Sequence, residues 1–184
     1  FLKPIMKTPR LLTTIAFAFT MLISFNAEAQ KFRDLDKSPM DVASYGRGSE
    51  QLIKVYYSRP QLKGRDAKKL TQKDRVWRTG ANEATEIILF ADMKLGKTTV
   101  KAGTYSLFTM PGDEEWAIIL SSNLNNWGTS GYNKNNTVAT IKVPVTKGEE
   151  SLEAFSIAFD KAENGVHMHM GWGTLRVAVP FVKE

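Results

Sequence analysis

The sequence predicts an all-β fold: an antiparallel β-sandwich of about eight or nine strands, jelly-roll or immunoglobulin-like, with a flattened β-barrel as the alternative topology. Three observations carry this. From Gln51 onward apolar residues recur with a period near two, the spacing that places every second side chain on one face of a strand. Turn-forming residues punctuate the runs at Ala102-Gly103, Pro111-Gly112-Asp113, Lys147-Gly148 and Asn164-Gly165, and Asn-Gly is a strong hairpin signal. The single stretch compatible with a helix, residues 66–74, is basic, poorly patterned and long enough for a turn or two.

Taken in order, residues 31–48, with Ser38-Pro39 and Gly46, form an extended lead-in able to add an edge strand. Residues 51–58 are the first clear strand, with Ile53, Val55 and Tyr57 on one face and Leu52, Lys54 and Tyr56 on the other. Residues 85–93 are apolar on both faces at Ile87, Ile88, Leu89 and Phe90, as in a central strand. Strands over 98–101 and 104–110 follow, and residues 115–122 alternate Trp116, Ile118 and Leu120 against Ala117 and Ile119. A polar loop spans 123–136, after which strands are expected over 137–145, 152–159, 166–172 and 175–181. With no repeat and no linker, residues 49–184 are expected to form one domain behind the lead-in 30–48.

Residues 6–29 have the pattern of an export signal behind a leader of residues 1–5. Lys7 and Arg10 make a positive start, residues 11–25 are an apolar run, and Ala27-Glu28-Ala29 is a small-x-small cleavage site. The run, about 15 residues and broken by Thr13, Thr14, Thr20 and Ser24, falls short of the roughly 20 a spanning helix needs. Cleavage before Gln30 is expected, giving a periplasmic or secreted monomer without stable membrane insertion. The absence of cysteine excludes thiol catalysis, thiolate zinc sites, iron–sulfur clusters and lipid attachment through an N-terminal Cys. It also leaves stability to the core. The chain carries 25 basic and 19 acidic residues. Removing residues 1–29 takes away Lys3, Lys7, Arg10 and Glu28, leaving 22 against 18, a net +4. So mild a balance speaks to solubility and against nucleic acid as a partner.

Two segments place guanidinium groups beside rings at strand ends. Guanidinium pairs bidentately with carboxylate, phosphate or sulfate, and rings stack on sugar faces. Tyr57, Arg59, Arg65, Trp77, Arg78, Asn82 and Glu83 are therefore the candidate set for binding a small anionic or glycan ligand, or an envelope protein partner. The competing reading is an internal network in which Arg59 and Arg78 pair with Glu83 or Glu86, Trp77 plugs one end of the core, and Asn82 or Gly80 makes a left-handed turn. An enzyme is the alternative function: a hydrolase with Glu83 as general acid or base and Arg78 stabilising developing negative charge. A structural accessory subunit, showing a flat apolar patch, is the third.

Residues 123–133 are rich in amides, and with Trp127 and Tyr132 they suit carbohydrate, unless the rings fold down onto the sheet. His167 and His169, two apart on a strand, share a face at roughly 7 Å. A metal needs a third ligand, for which only carboxylates such as Glu83, Glu86, Asp92 or Asp160 are available, so no metal and no cofactor are expected. Tyr105, after Gly103, suggests a corner tyrosine whose hydroxyl bonds back to nearby backbone. Ser58 and Ser106 lack the Gly-x-Ser-x-Gly elbow of a nucleophile. The cations Lys63, Arg65, Lys68, Lys69, Lys73 and Arg75 have no apolar face between them and read as a solvated loop.

Three motifs stand in order: Tyr57-Ser58-Arg59-Pro60 with Lys63-Gly64-Arg65, then Val76-Trp77-Arg78-Thr79-Gly80-Ala81-Asn82-Glu83-Ala84-Thr85, then Ala102-Gly103-Thr104-Tyr105-Ser106-Leu107-Phe108-Thr109-Met110-Pro111-Gly112. Together they resemble the signature of an exported bacterial family, the domain-of-unknown-function family numbered 2911, common in Bacteroidetes. The resemblance runs over roughly residues 35–182. It implies export and the domain boundaries, and brings no activity, substrate or catalytic residue. The histidines within residues 166–171 depart from that family's pattern, so a metal site there would be peculiar to this chain.

Overall fold

Alternation decides which side chains of β2 (Ile53–Ser58) enter the core: Ile53, Val55 and Tyr57 are buried, while Lys54 and Tyr56 lie on the wetter face. The computed structural model describes residues 30–184, and the export segment expected over residues 6–29 lies outside the described residues. Leu35–Glu184 make one unit. Its strands are β1 (Met40–Tyr45), β2, β3 (Thr85–Leu89), β4 (Met93–Leu95), β5 (Thr98–Val100), β6 (Gly103–Pro111), β7 (Glu115–Ser121), β8 (Thr137–Ala162) and β9 (Gly165–Lys183). The lead-in supplies edge strand β1. The short helix α1 (Ala67–Thr71) is started by Asp66, whose carboxylate accepts the Lys68 N–H at 2.9 Å.

The fold is all-β, as the alternation predicts. Among the described residues nine antiparallel strands run in the order β1-β2-β3-β6-β7-β8-β9-β4-β5. Strand β8 is long enough to serve two ladders: its first part pairs with β7, from Thr137↔Ser121 to Pro144↔Glu115, and its remainder pairs with β9, from Val145↔Val177 to Ala162↔Gly165. The sheet therefore folds over at β8. Ile53, Ile87, Leu107 and Ile118 of one half share a single core with Phe155, Met168, Val179 and Phe181 of the other. The chain beyond β2 also reaches β8: Phe155 N–H donates to Pro60 O and Leu62 N–H to Glu153 O, both at 2.9 Å, partly closing the structure. This arrangement is consistent with both a sandwich and a flattened barrel.

The breaks differ from expectation in three places. Residues 85–93 are not one strand: β3 stops at Leu89, the chain changes partner through Phe90–Asp92, and β4 starts at Met93 beside β9. Asp92 fixes this change by accepting from Lys101 Nζ at 2.7 Å and the Ala102 N–H at 2.8 Å. Those two bonds, the lysine's first, hold its carboxyl below the ordinary carboxylate value. Lys147-Gly148 is not a turn; β8 runs through it with register shifts on either side of Leu152. Arg176 spans that irregular stretch, donating to the carbonyls of Glu150, Gly173 and Leu175. Residues 166–181 are likewise one strand, β9, in which Gly173 takes φ +56°. A left-handed glycine bends a strand without ending it. The Asn164-Gly165 hairpin is where the sequence places it.

Candidate functional site

The structure divides the candidate residues into a structural group and an open one. Tyr57 is buried; its hydroxyl accepts the Ile157 N–H at 3.0 Å, and burial pushes its pKa up against that bond. Trp77 donates from Nε1 to Gly80 O at 3.1 Å and sits among Trp172, Phe155 and Trp116. It plugs the core, as the network reading expects. Arg59 uses all three of its nitrogens: Nε to Phe155 O at 3.1 Å, Nη2 to Ser156 Oγ at 2.8 Å and Nη1 to Asp41 Oδ2 at 2.9 Å. Its carboxylate partner is therefore Asp41 of β1, not Glu83 or Glu86. Arg65 donates to Leu62 O and Gln61 O and tightens its own turn.

Arg78 is different. It is half-buried, its Nε is shielded from solvent without an acceptor, and among the described residues its guanidinium has no hydrogen-bond acceptor and no carboxylate within ion-pair distance. The backbone around it is constrained. Thr79 takes φ +55° and Asn82 +58°, and the left-handed region is unusual for a β-branched residue. Two other threonines hold Thr79 there: Thr85 Oγ1 donates to its carbonyl at 2.8 Å, and its own hydroxyl reaches Thr109 Oγ1 at 3.3 Å. Gly80 is needed for close approach, since a Cβ there would lie 2.9 Å from Ser58 O.

The amide-rich loop 123–133 lies against this strand end, so two segments far apart in the sequence are joined by backbone bonds. Ala84 N–H donates to Asn126 O at 2.8 Å, Gly128 N–H to Asn82 O at 3.0 Å, and Asn125 N–H to Glu86 Oε1 at 3.2 Å. Glu83 forms a β-bridge with Trp127. Gly128, at φ +64°, brings the loop beside the cation: a Cβ built on it would be 3.7 Å from Arg78 Nη1. Beneath, buried Asn126 donates to Ser106 Oγ at 3.1 Å and Asn123 O at 2.8 Å and accepts from Asn123 Nδ2 at 2.9 Å. The two rings part company. Tyr132 packs edge-on against Phe108 at 5.2 Å, whereas Trp127 is 66 % exposed. Glu83 is exposed and has no ion pair among the described residues. Arg78, Asn82, Glu83 and Trp127 thus stand on two backbone-linked segments, each at least partly exposed. Of these only Trp127 lay outside the expected arginine set, and its signal was the amide-rich loop.

His167 and His169 share a face with ring centroids 6.1 Å apart, and His169 Nε2 lies 3.3 Å from Asp160 Oδ2. Their stretch of β9 pairs with β8, His167 opposite Asp160 and His169 opposite Ala158, whereas β4 meets β9 only at Phe181–Lys183. Among the described residues no group of three or more histidines and acids is placed to hold a metal. Tyr105 donates to Lys101 O at 2.9 Å, the backbone bond read from Gly103-Thr104-Tyr105. Ser58 and Ser106 are buried. In the basic stretch Lys73 pairs with Asp113 and Arg75 donates to Gln72.

Comparison with known proteins returns one family. A model described as protein of unknown function (DUF2911) matches residues 38–181, and the chain belongs to that family. No curated protein and no solved structure matches.

Proposed function

We propose that this family member is an exported recognition module that binds a small, anion-bearing polar ligand on the surface made by Arg78, Asn82, Glu83 and Trp127. The observation that carries this is the uncompensated charge of Arg78. Guanidinium stays protonated at any working pH. Half-burying it without a counter-charge is unfavourable, and a shielded N–H without an acceptor costs about 1–3 kcal/mol. A carboxylate, phosphate or sulfate on the terminal nitrogens would supply that charge.

The surroundings support the same reading. Backbone held in a sparsely populated region by several side chains is characteristic of ligand clamps, and Thr79 is held by Thr85 and Thr109. Rigid sheets present their binding groups on strand-end loops, which is where Arg78 and Trp127 stand.

The test is thermal unfolding of residues 30–184 with millimolar acetate, sulfate and phosphate. A ligand that binds only the folded state raises the midpoint, stabilising by RT ln(1 + [L]/Kd). Wild type should show a rise that grows with the logarithm of anion concentration above Kd and that Arg78→Ala lacks while keeping its circular dichroism spectrum. If Arg78→Ala instead unfolds and Arg78→Lys restores stability without anion dependence, the guanidinium is scaffolding and the reading fails.

A further inference from the structure

We infer that the ligand of this surface is an acidic sugar, a hexuronate unit, with its carboxylate on Arg78, its ring face on Trp127 and its hydroxyls on Glu83. This rests on the anion-binding reading above and adds the ligand class.

The placement of three groups leads to it. Trp127 immediately precedes Gly128, the residue beside Arg78 Nη1, and stands opposite Glu83 across a β-bridge. Directly opposed residues of an antiparallel bridge have their Cα atoms roughly 4.5–5.5 Å apart. The residues that carry the cation, the indole and the carboxylate therefore stand on two adjoining backbone segments. Each selects a different part of one molecule. An exposed indole offers an apolar face with a polar edge, suited to the C–H face of a pyranose. The guanidinium fork matches a carboxylate. An ionised carboxylate only accepts hydrogen bonds, so Glu83 is satisfied by hydroxyl donors.

Charge narrows the choice. Glu83 stands opposite Trp127, so a multiply charged phosphate or a nucleotide stacked on the indole would meet its repulsion. A ligand with one negative charge and several hydroxyls meets none that it cannot offset. The platform is also held in advance. Trp127 O accepts from Ser130 Oγ at 2.7 Å, and its neighbour Asn126 is buried and bonded to Ser106 and Asn123. Little ordering of the loop is left for the ligand to impose.

Calorimetric titration of residues 30–184 with D-glucuronate, D-glucose, acetate and adenosine monophosphate decides the matter, using wild type, Arg78→Ala, Arg78→Lys and Trp127→Ala. Glucuronate should bind wild type at least about tenfold more tightly than acetate, the order of gain that a ring contact provides. Glucose and the nucleotide should bind more weakly than glucuronate. Trp127→Ala, at an exposed position, should lose that gain while leaving acetate unchanged, and Arg78→Ala should lose both acids. Arg78→Lys decides the point if Arg78→Ala does not fold: it should weaken glucuronate more than tenfold through loss of the fork. Glucuronate binding no better than acetate, equal binding by Trp127→Ala, or preference for the nucleotide would overturn the sugar assignment and leave the anion site standing. Failure of every acid, acetate included, to bind in an Arg78-dependent way would remove both.

Discussion

The ring of Trp77 lies flat on that of Trp172, their centroids 5.8 Å apart and their planes 9° from parallel. Phe155 and Trp116 meet Trp77 edge-on. Trp77 and its neighbour Arg78 thus differ in role: the indole closes the core, and the half-buried guanidinium stands beside Gly128 of the amide-rich loop. Trp77→Ala should destabilise the fold by about 3–5 kcal/mol, the range for removing a large buried ring. Urea unfolding followed by circular dichroism measures this, and a loss below about 1 kcal/mol would show that the ring is not a core element.

Arg59 binds β1 to β8 through a fork, so its geometry matters more than its charge. Arg59→Lys should cost about 1–2 kcal/mol by losing the bonds to Phe155 O and Ser156 Oγ. Asp41→Asn should cost less, under about 1 kcal/mol, because that ion pair is about a third exposed or more on both sides and is screened by solvent. Amide exchange of β1 should quicken in both variants. A larger loss in Asp41→Asn than in Arg59→Lys would contradict this ranking.

Burial raises the Tyr57 pKa above its ordinary value of 10.0. The neutral phenol is favoured in the folded state, so the corresponding stability is fully present below the unfolded value. It drains away as pH rises from about 10 through the folded pKa. Tyr57→Phe should be less stable than wild type at neutral pH, because Ile157 N–H loses its acceptor, and the gap should narrow as pH climbs past 10. Denaturation midpoints at a series of alkaline pH values test this; a gap that widens would reverse the sign.

Asn126 anchors the loop that carries Trp127. Asn126→Ala leaves buried Ser106 Oγ and the Asn123 amide short of a partner, and should cost about 1–3 kcal/mol. It should also make residues 123–133 the first site of proteolytic nicking. A variant as resistant as wild type would mean that the bridge and the backbone bonds at Ala84 and Gly128 hold the loop by themselves.

Much of the scaffold was legible in the chain because alternation reports burial directly, as at Ile53, Val55 and Tyr57. The Gly103 and Tyr105 pair likewise announced its backbone bond. What misled was punctuation. Gly148 and Gly173 look like ends of strands, yet a glycine permits a bend as readily as a turn, and pairing between β8 and β9 resumes beyond the irregular stretch. The site was half legible. Arg78, Asn82 and Glu83 were selected by chemistry, but the same chemistry selected Arg59, whose partner Asp41 lay in a lead-in with no signal of its own. Tyr57 and Trp77 were named for their rings, and only tertiary packing determines whether a ring becomes a platform or a plug. No local rule linked Trp127 to Glu83, because a bridge between distant segments leaves no trace in spacing.

The most direct test of the ligand reading is the side-chain Nε–H resonance of Arg78, followed by nuclear magnetic resonance during titration with D-glucuronate. The resonance, assigned by its loss in Arg78→Lys, should move saturably, together with the indole N–H of Trp127, while that of Arg59 stays in place. An Arg78 signal that holds still as the ligand saturates elsewhere, or that moves no more than that of Arg59, would contradict it.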